Sequence, residues 1–264
     1  VGRVIMRAAS EHLTSVTLEL GGKSPNIIDS SANLKDAVEK TVFNKFLNAG
    51  QTCIAPDYIL VQSHVHDKFL ELLKKRVVEV YNNSPEDLAG IINEKHLNHL
   101  EKLLIEATIS GALLEYGGDF DRDRNRLNPT ILSRVTADML VMKEEIFGPV
   151  LPVLSFETLD EAIKLINQGP KPLALYIYSG KRKNISKVLS ETSSGTACIN
   201  DGNLQFSNNH LPFGGVNNSG MGKSHKLLMW IVLEFLLVVL KRSTKETFVM
   251  RLELIIVWLI LENT

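Results

Sequence analysis

Two cysteines in 264 residues are too few for a disulfide scaffold and fit a reducing compartment. Charge is nearly balanced, 29 Lys and Arg against 30 Asp and Glu, and interspersed, so no electrostatic footprint for nucleic acid exists. The chain opens without a Met and without a charged-then-apolar secretory leader, and the sequon Asn184-Ile185-Ser186 is therefore not read as a glycosylation site. Seven histidines show no His-Glu-x-x-His spacing, and no metal is expected. Long apolar runs are also missing. Leu227 to Leu240 is interrupted by Glu234, and Phe248 to Leu261 by Arg251 and Glu253, and each falls short of the roughly 20 residues a helix needs to span a bilayer. These absences point to an intracellular globular protein, with the cytoplasm as its expected location. Its length permits one large domain or two small ones.

What is present is a hydrophobic period that switches between that of helices and that of strands. Helices are expected over Val4 to Leu13, Asn33 to Asn48, His64 to Tyr81, Glu94 to Ser110, Leu159 to Asn167 and Asn184 to Thr192. Strands are expected over Ser15 to Leu20, Tyr58 to Val61, Ala112 to Tyr116, Val150 to Phe156, Leu173 to Tyr178 and Thr196 to Ile199. This alternation predicts an α/β fold with a largely parallel sheet covered by helices. No internal repeat or low-complexity linker interrupts it.

Cys53 stands in the run Asn48-Ala49-Gly50-Gln51-Thr52-Cys53, beside small residues that a substrate can approach. Glu19 ends an apolar run before Gly21-Gly22-Lys23, where partial desolvation would raise a carboxylate into the range of a general base. A lone cysteine is more often an inert small hydrophobe, and Cys198, within an apolar strand, is read that way. Glu144-Glu145 reads equally as an exposed acidic pair, Gly21-Gly22 as an ordinary turn, and Asn200 as a turn-forming asparagine.

The surrounding words shift these readings. Leu18 to Pro25, Asn48 to Leu60 (NAGQTCIAPDYIL), Lys143 to Pro152 (KEEIFGPVLP), Lys171 to Tyr178 (KPLALYIY) and Leu211 to Lys223 (LPFGGVNNSGMGK) form five ordered blocks. Together they resemble the aldehyde dehydrogenase superfamily, most closely its class 3 or fatty-aldehyde branch. The resemblance implies oxidation of aldehydes to carboxylic acids with NAD or NADP. Cys53 would be the nucleophile, its backbone N–H an oxyanion donor, and Glu19 the base that activates water. A depressed thiol pKa is expected for Cys53. Glu145 and Phe147 match positions at the nicotinamide ribose and ring, and Gly2, Leu20 and Gly21 also match cofactor-binding positions. Asn200 matches an asparagine that supports the active-site loop, and Phe213 is a candidate wall of the aldehyde entrance; both are assigned to the substrate pocket.

The same resemblance divides the chain into residues 1 to 20, a remnant of a dinucleotide-binding domain, residues 21 to 223, a catalytic domain, and an atypical apolar tail from 224 to 264. Most of the dinucleotide-binding half, including its oxyanion asparagine, is expected to be missing. Beyond Lys223 the resemblance fades. A homodimer, and membrane association through the tail, are the expected partners besides an aldehyde. Two rival readings are a non-catalytic remnant serving as an interaction module and a thiol-dependent esterase.

Overall fold

A computed structural model describes residues 1–81, 88–208 and 210–224 of the chain. Beyond Ser224, the tail and both of its apolar stretches lie outside the described residues. Of the described residues, those up to 208 and Phe213–Ser224 fall in one compact unit, and His210–Pro212 fall outside it. No helix among the described residues is long and apolar enough to cross a membrane.

The chain runs through α1 (Gly2–Glu11), β1 (Leu18–Glu19), β2 (Pro25–Ile28), α2 (Leu34–Phe46), β3 (Tyr58–Gln62) and α3 (Ser63–Tyr81). It continues with α4 (Glu94–Ile109), β4 (Leu113–Tyr116), β5 (Phe120–Asp121), β6 (Arg126–Leu127), β7 (Thr130–Ser133), α5 (Leu140–Lys143) and β8 (Val150–Phe156). Then come α6 (Leu159–Gln168), β9 (Ala174–Tyr178), α7 (Arg182–Glu191), β10 (Thr196–Ile199), α8 (Leu204–Ser207) and β11 (Gly220–Met221). Seven strands join in the order β10-β9-β2-β3-β8-β7-β4, and every pairing is parallel except β4 with β7. This is the largely parallel, helix-covered sheet that the alternation predicts.

Both faces of the sheet are buried, and strand alternation divides the core in two. Ile28, Ile59, Val61, Tyr176 and Tyr178 pack with α2 and α3 on one side. Ile27, Leu60, Leu154, Leu175 and Ile177 pack with α4, α6 and α7 on the other. Side-chain caps start three of these helices: Asn33 accepts from Asp36 N, Asn93 from His96 N and Thr158 from Glu161 N. Each satisfies a backbone donor that the first turn leaves without a helical partner.

Some expected boundaries shift. The first helix runs Gly2–Glu11, not Val4 to Leu13, because Leu13 turns left-handed at φ 52. The strand expected over Ser15 to Leu20 shrinks to Leu18–Glu19, the only two residues there that pair, antiparallel with β11. Two buried strands, β2 and β7, have no counterpart in the sequence-based expectation. Four residues buried on both faces leave no alternation to read.

The parallel order fixes where candidate side chains gather. Gly21 and Gly22 precede β2, Cys53 precedes β3, and Glu145 and Phe147 precede β8, so all three segments meet at the amino ends of neighbouring strands. Asn200 follows β10 and leaves the sheet at its carboxyl end.

Candidate functional site

The Cys53 segment begins with three consecutive left-handed residues, Asn48 (φ 53), Ala49 (φ 55) and Gly50 (φ 73). That conformation is open to Gly, tolerated by Asn and unfavourable for Ala, so it persists only where packing holds it. Ala49 is buried, and a Cβ at Gly50 would collide with the Gly148 carbonyl, which explains a glycine there. Gln51 braces the turn: its Nε2 donates to Asn48 O (3.1 Å) and Gly90 O (3.0 Å), and its Oε1 accepts from Ile92 N (2.9 Å). Ala55 N donates to Thr52 O at 3.0 Å, making Cys53 and Ile54 the central residues of a closed turn.

Cys53 is half-buried against the core on the α2 and α3 side. Its thiol pKa is raised, first by burial and then by the negative charges of Glu145 and Glu19. This corrects the expectation of a depressed pKa: the described residues surround the sulfur with apolar groups and carboxylates and supply no compensating cation. Cys198, on edge strand β10, is also pushed up, to about 11, by burial and then by Asp201.

Glu145 is positioned by a buried polar frame. Lys23 Nζ pairs with Asp57 and donates to Val141 O (2.8 Å) and Glu144 O (2.9 Å), while Asp57 Oδ1 accepts from Ile146 N (3.0 Å). These bonds pin the segment before β8 onto the starts of β2 and β3. The Glu145 carboxyl then lies directly over Gly21, where a Cβ would overlap both its oxygens. Burial pushes the Glu145 carboxyl up to about 7, opposed by a hydrogen bond from Gly22 N–H. A cavity of about 560 Å³ opens beside it, lined among others by Gly21, Gly22, Lys23, Tyr58, Glu145 and Pro172.

Behind the cysteine turn sits Lys45, 0% exposed, its Nζ without a hydrogen-bond partner among the described residues. Burial lowers its pKa to about 8, against the attraction of Asp57 and Glu145. His96, on α4, donates from Nε2 to Phe147 O at 2.8 Å, which fixes the proton on that nitrogen. Phe147 itself is left-handed at φ 49 and 37% exposed.

The remaining expected site residues divide. Gly2 is the first residue of α1 and is buried under Leu20, whose side chain a Cβ at position 2 would strike at 2.7 Å. Glu19 is exposed on β1, which corrects the expectation of desolvation: its two-residue ladder with β11 buries only Leu18 in part. Asn200 is not brought to the cysteine turn. Its side chain accepts from Ser179 N (2.8 Å) and donates to Ser179 O (3.1 Å), clasping β9 to β10 at the carboxyl end of the sheet. Phe213 is 1% exposed, in edge contact with Phe206 at 5.3 Å between ring centres, and is core instead of an open wall.

Lys23, Asp57, Lys45 and His96 have no role in the sequence-based expectation. Lys45 had a signal: Ala37, Val38, Thr41, Val42, Lys45 and Phe46 follow one helical face, and all six are buried.

The aldehyde dehydrogenase family model matches residues 1–238, past the point where the motifs fade. Aldehyde dehydrogenase family 3 member A2 of Mus musculus is 45% identical over 228 residues, covering 85% of this chain and 46% of that protein. The dimeric NADP-preferring aldehyde dehydrogenase of the same species is 44% identical, covering 85% and 49%. The substrate-bound structure of Staphylococcus aureus AldH superposes with a TM-score of 0.81 at 46% identity, again over 85% of this chain and 49% of that one. The chain spans about half the length of the relatives it matches.

Proposed function

The chain belongs to the aldehyde dehydrogenase family, and on that premise we propose that it carries the nucleophile, the deacylation base and the nicotinamide-ribose carboxylate of an enzyme oxidising aldehydes to carboxylic acids. The observation that carries this reading is the convergence at the amino ends of β2, β3 and β8: the segments bearing Gly21, Cys53 and Glu145 meet there, and the Glu145 carboxyl rests over the bare backbone of Gly21.

NAD or NADP fits the residues present. Glu145 faces a cavity lined also by Gly21, Gly22 and Lys23 and offers two acceptor oxygens for ribose hydroxyls, and Phe147 follows two residues on, 37% exposed. Gly2 packs against Leu20, and both are assigned to the cofactor by the family match. The nicotinamide ring, when bound, supplies the hydride acceptor.

The chain's own residues do the rest. The Cys53 thiolate adds to the aldehyde carbon, and the thiohemiacetal oxygen is met by the Cys53 backbone N–H. Oxidation leaves a thioester on sulfur. Glu19 takes a proton from water, the water oxygen attacks the thioester carbon, and the acid departs as the sulfur regains its thiolate.

The test is aldehyde-dependent NADH or NADPH formation by the chain, complemented with the part of a relative that it does not span, and its loss in Cys53→Ser. Ester turnover without nicotinamide reduction would turn the reading to a thiol-dependent esterase, and neither activity to a non-catalytic remnant. A homodimer and membrane association through residues 224–264 belong to the same proposal. Sedimentation tests the first, and fractionation of full-length and truncated chain the second.

A further inference from the structure

The turn that presents Cys53 is held from across the sheet by a side chain outside the machinery described above. Tyr176, in β9, is 1% exposed, and its Oη donates to Ile54 O at 2.6 Å. Ile54 is the residue after the nucleophile and the second central residue of the turn closed by Ala55 N and Thr52 O. Tyr176 Oη in turn accepts from Gln205 Nε2 at 3.1 Å. Asn203 Oδ1 lies 3.4 Å away, and with one hydroxyl proton available the short bond to Ile54 takes it. A buried relay therefore runs from α8 through the centre of β9 to the peptide that follows Cys53.

We propose that Tyr176 is a positioning residue for the Cys53 nucleophile: its hydroxyl fixes the Ile54 carbonyl and so holds the sulfur and the Cys53 N–H in the orientation that thioester chemistry requires. The inference rests on reading Cys53 as the nucleophile. Its physical basis is that a buried carbonyl deprived of its donor seeks water or moves, and a tight turn has little other means of holding its outer peptide. Burial of Tyr176 also raises its phenol pKa, so the hydroxyl keeps its proton and remains a donor throughout the working pH range.

The test needs neither aldehyde nor cofactor. Carboxymethylation rates of Cys53 and Cys198 are measured against pH by mass spectrometry in the full chain, in Tyr176→Phe, in Gln205→Leu and in Tyr178→Phe. Tyr178 is a buried tyrosine two residues along on the same face and serves as the control. The groups that face the sulfur, Glu145 before β8 and Glu19 on β1, are unchanged in all of them. Burial is the leading cause of the raised thiol pKa, so loosening the turn hydrates the sulfur and lowers its midpoint. A fall of about half a pH unit gives about threefold more thiolate at neutral pH. Tyr176→Phe should show that gain at Cys53 alone, Gln205→Leu a smaller one in the same direction, and Tyr178→Phe none. A Cys53 profile in Tyr176→Phe that superimposes on the parent's overturns the proposal, as does an equal shift in Tyr178→Phe. Either result leaves the nucleophile assignment standing, since that depends on the Cys53→Ser activity measurement.

Discussion

Replacing Glu145 with Gln should stabilise the fold, and more strongly near neutrality than in mild acid. The carboxyl is pushed from 4.5 to about 7, chiefly because burial disfavours its ionised form. When the folded pKa of an acid lies above its unfolded value, the group is neutral in both states at low pH and contributes nothing there. As pH rises from about 4.5 to about 7 the unfolded chain ionises more readily, and stability is progressively lost. Each pKa unit corresponds to about 1.4 kcal/mol, so the shift sets an upper limit of about 3 kcal/mol. Because the cavity leaves the carboxyl part of its access to solvent, about half of that, ~1.5 kcal/mol, is the working expectation. The amide can still accept from Gly22 N–H and fills the same space over Gly21. Loss of the Glu145 charge also removes one of the attractions that hold up the Lys45 pKa of about 8, which offsets part of the gain near pH 7.5. Urea unfolding of parent and variant at about pH 5 and about pH 7.5 measures the effect. The variant's advantage should grow by about 1 kcal/mol between the two conditions. An advantage that is the same at both, or a variant less stable than the parent, would refute the argument. A confirmed gain would mean that this carboxylate is kept at the expense of stability, as functional groups often are.

Gly21→Ala should force the Glu145 carboxyl out of its place, costing about 1 to 3 kcal/mol of stability in thermal melts, and Gly21→Ala combined with Glu145→Ala should recover most of it. If the single variant melts with the parent, the close approach of Glu145 to Gly21 is wrong. Cys53 should react with iodoacetamide faster than Cys198 in the folded protein, because the Cys198 thiol is pushed to about 11 and a smaller fraction of it is thiolate. Equal labelling of the two would contradict this.

The long helices were the most legible part of the fold: α3 and α4 fall within one residue of their expected bounds, since five turns of amphipathic spacing cannot be mistaken for a strand. β8 and β10 match residue for residue. β2 and β7 did not show because a strand covered by helices on both faces carries no alternation, and Pro25 at the head of β2 reads as a turn. In the site, Cys53, Glu145 and Gly21 were visible as motif residues, and their segments meet at the amino ends of neighbouring strands. The thiol's pKa was misjudged because small neighbours in sequence say nothing of the burial that folding imposes, nor of the carboxylates it brings from the segment before β8 and from β1. Of the two readings of Asn200, the turn-forming asparagine agrees with its left-handed backbone and its bonds to Ser179. Tyr176 and Lys23 act through bonds that span more than one hundred residues of chain, to Ile54 and to Val141, and no local pattern announces such partners.

The central claim, a thioester formed on Cys53 and hydrolysed with Glu19 as base, is tested most directly by intact-mass and peptide mass spectrometry of the complemented Glu19→Gln variant quenched after one turnover with aldehyde and NAD or NADP. An amide cannot take the proton from water, and loss of a positioned base slows a step by about 10²- to 10⁴-fold. Acylation, which needs only the thiolate and the hydride acceptor, should therefore proceed while deacylation stalls. A burst of reduced nicotinamide and an acyl mass on the peptide containing Cys53 are expected. A variant that turns over at the parent's rate, or one whose acyl group sits on the peptide containing Cys198, would contradict it.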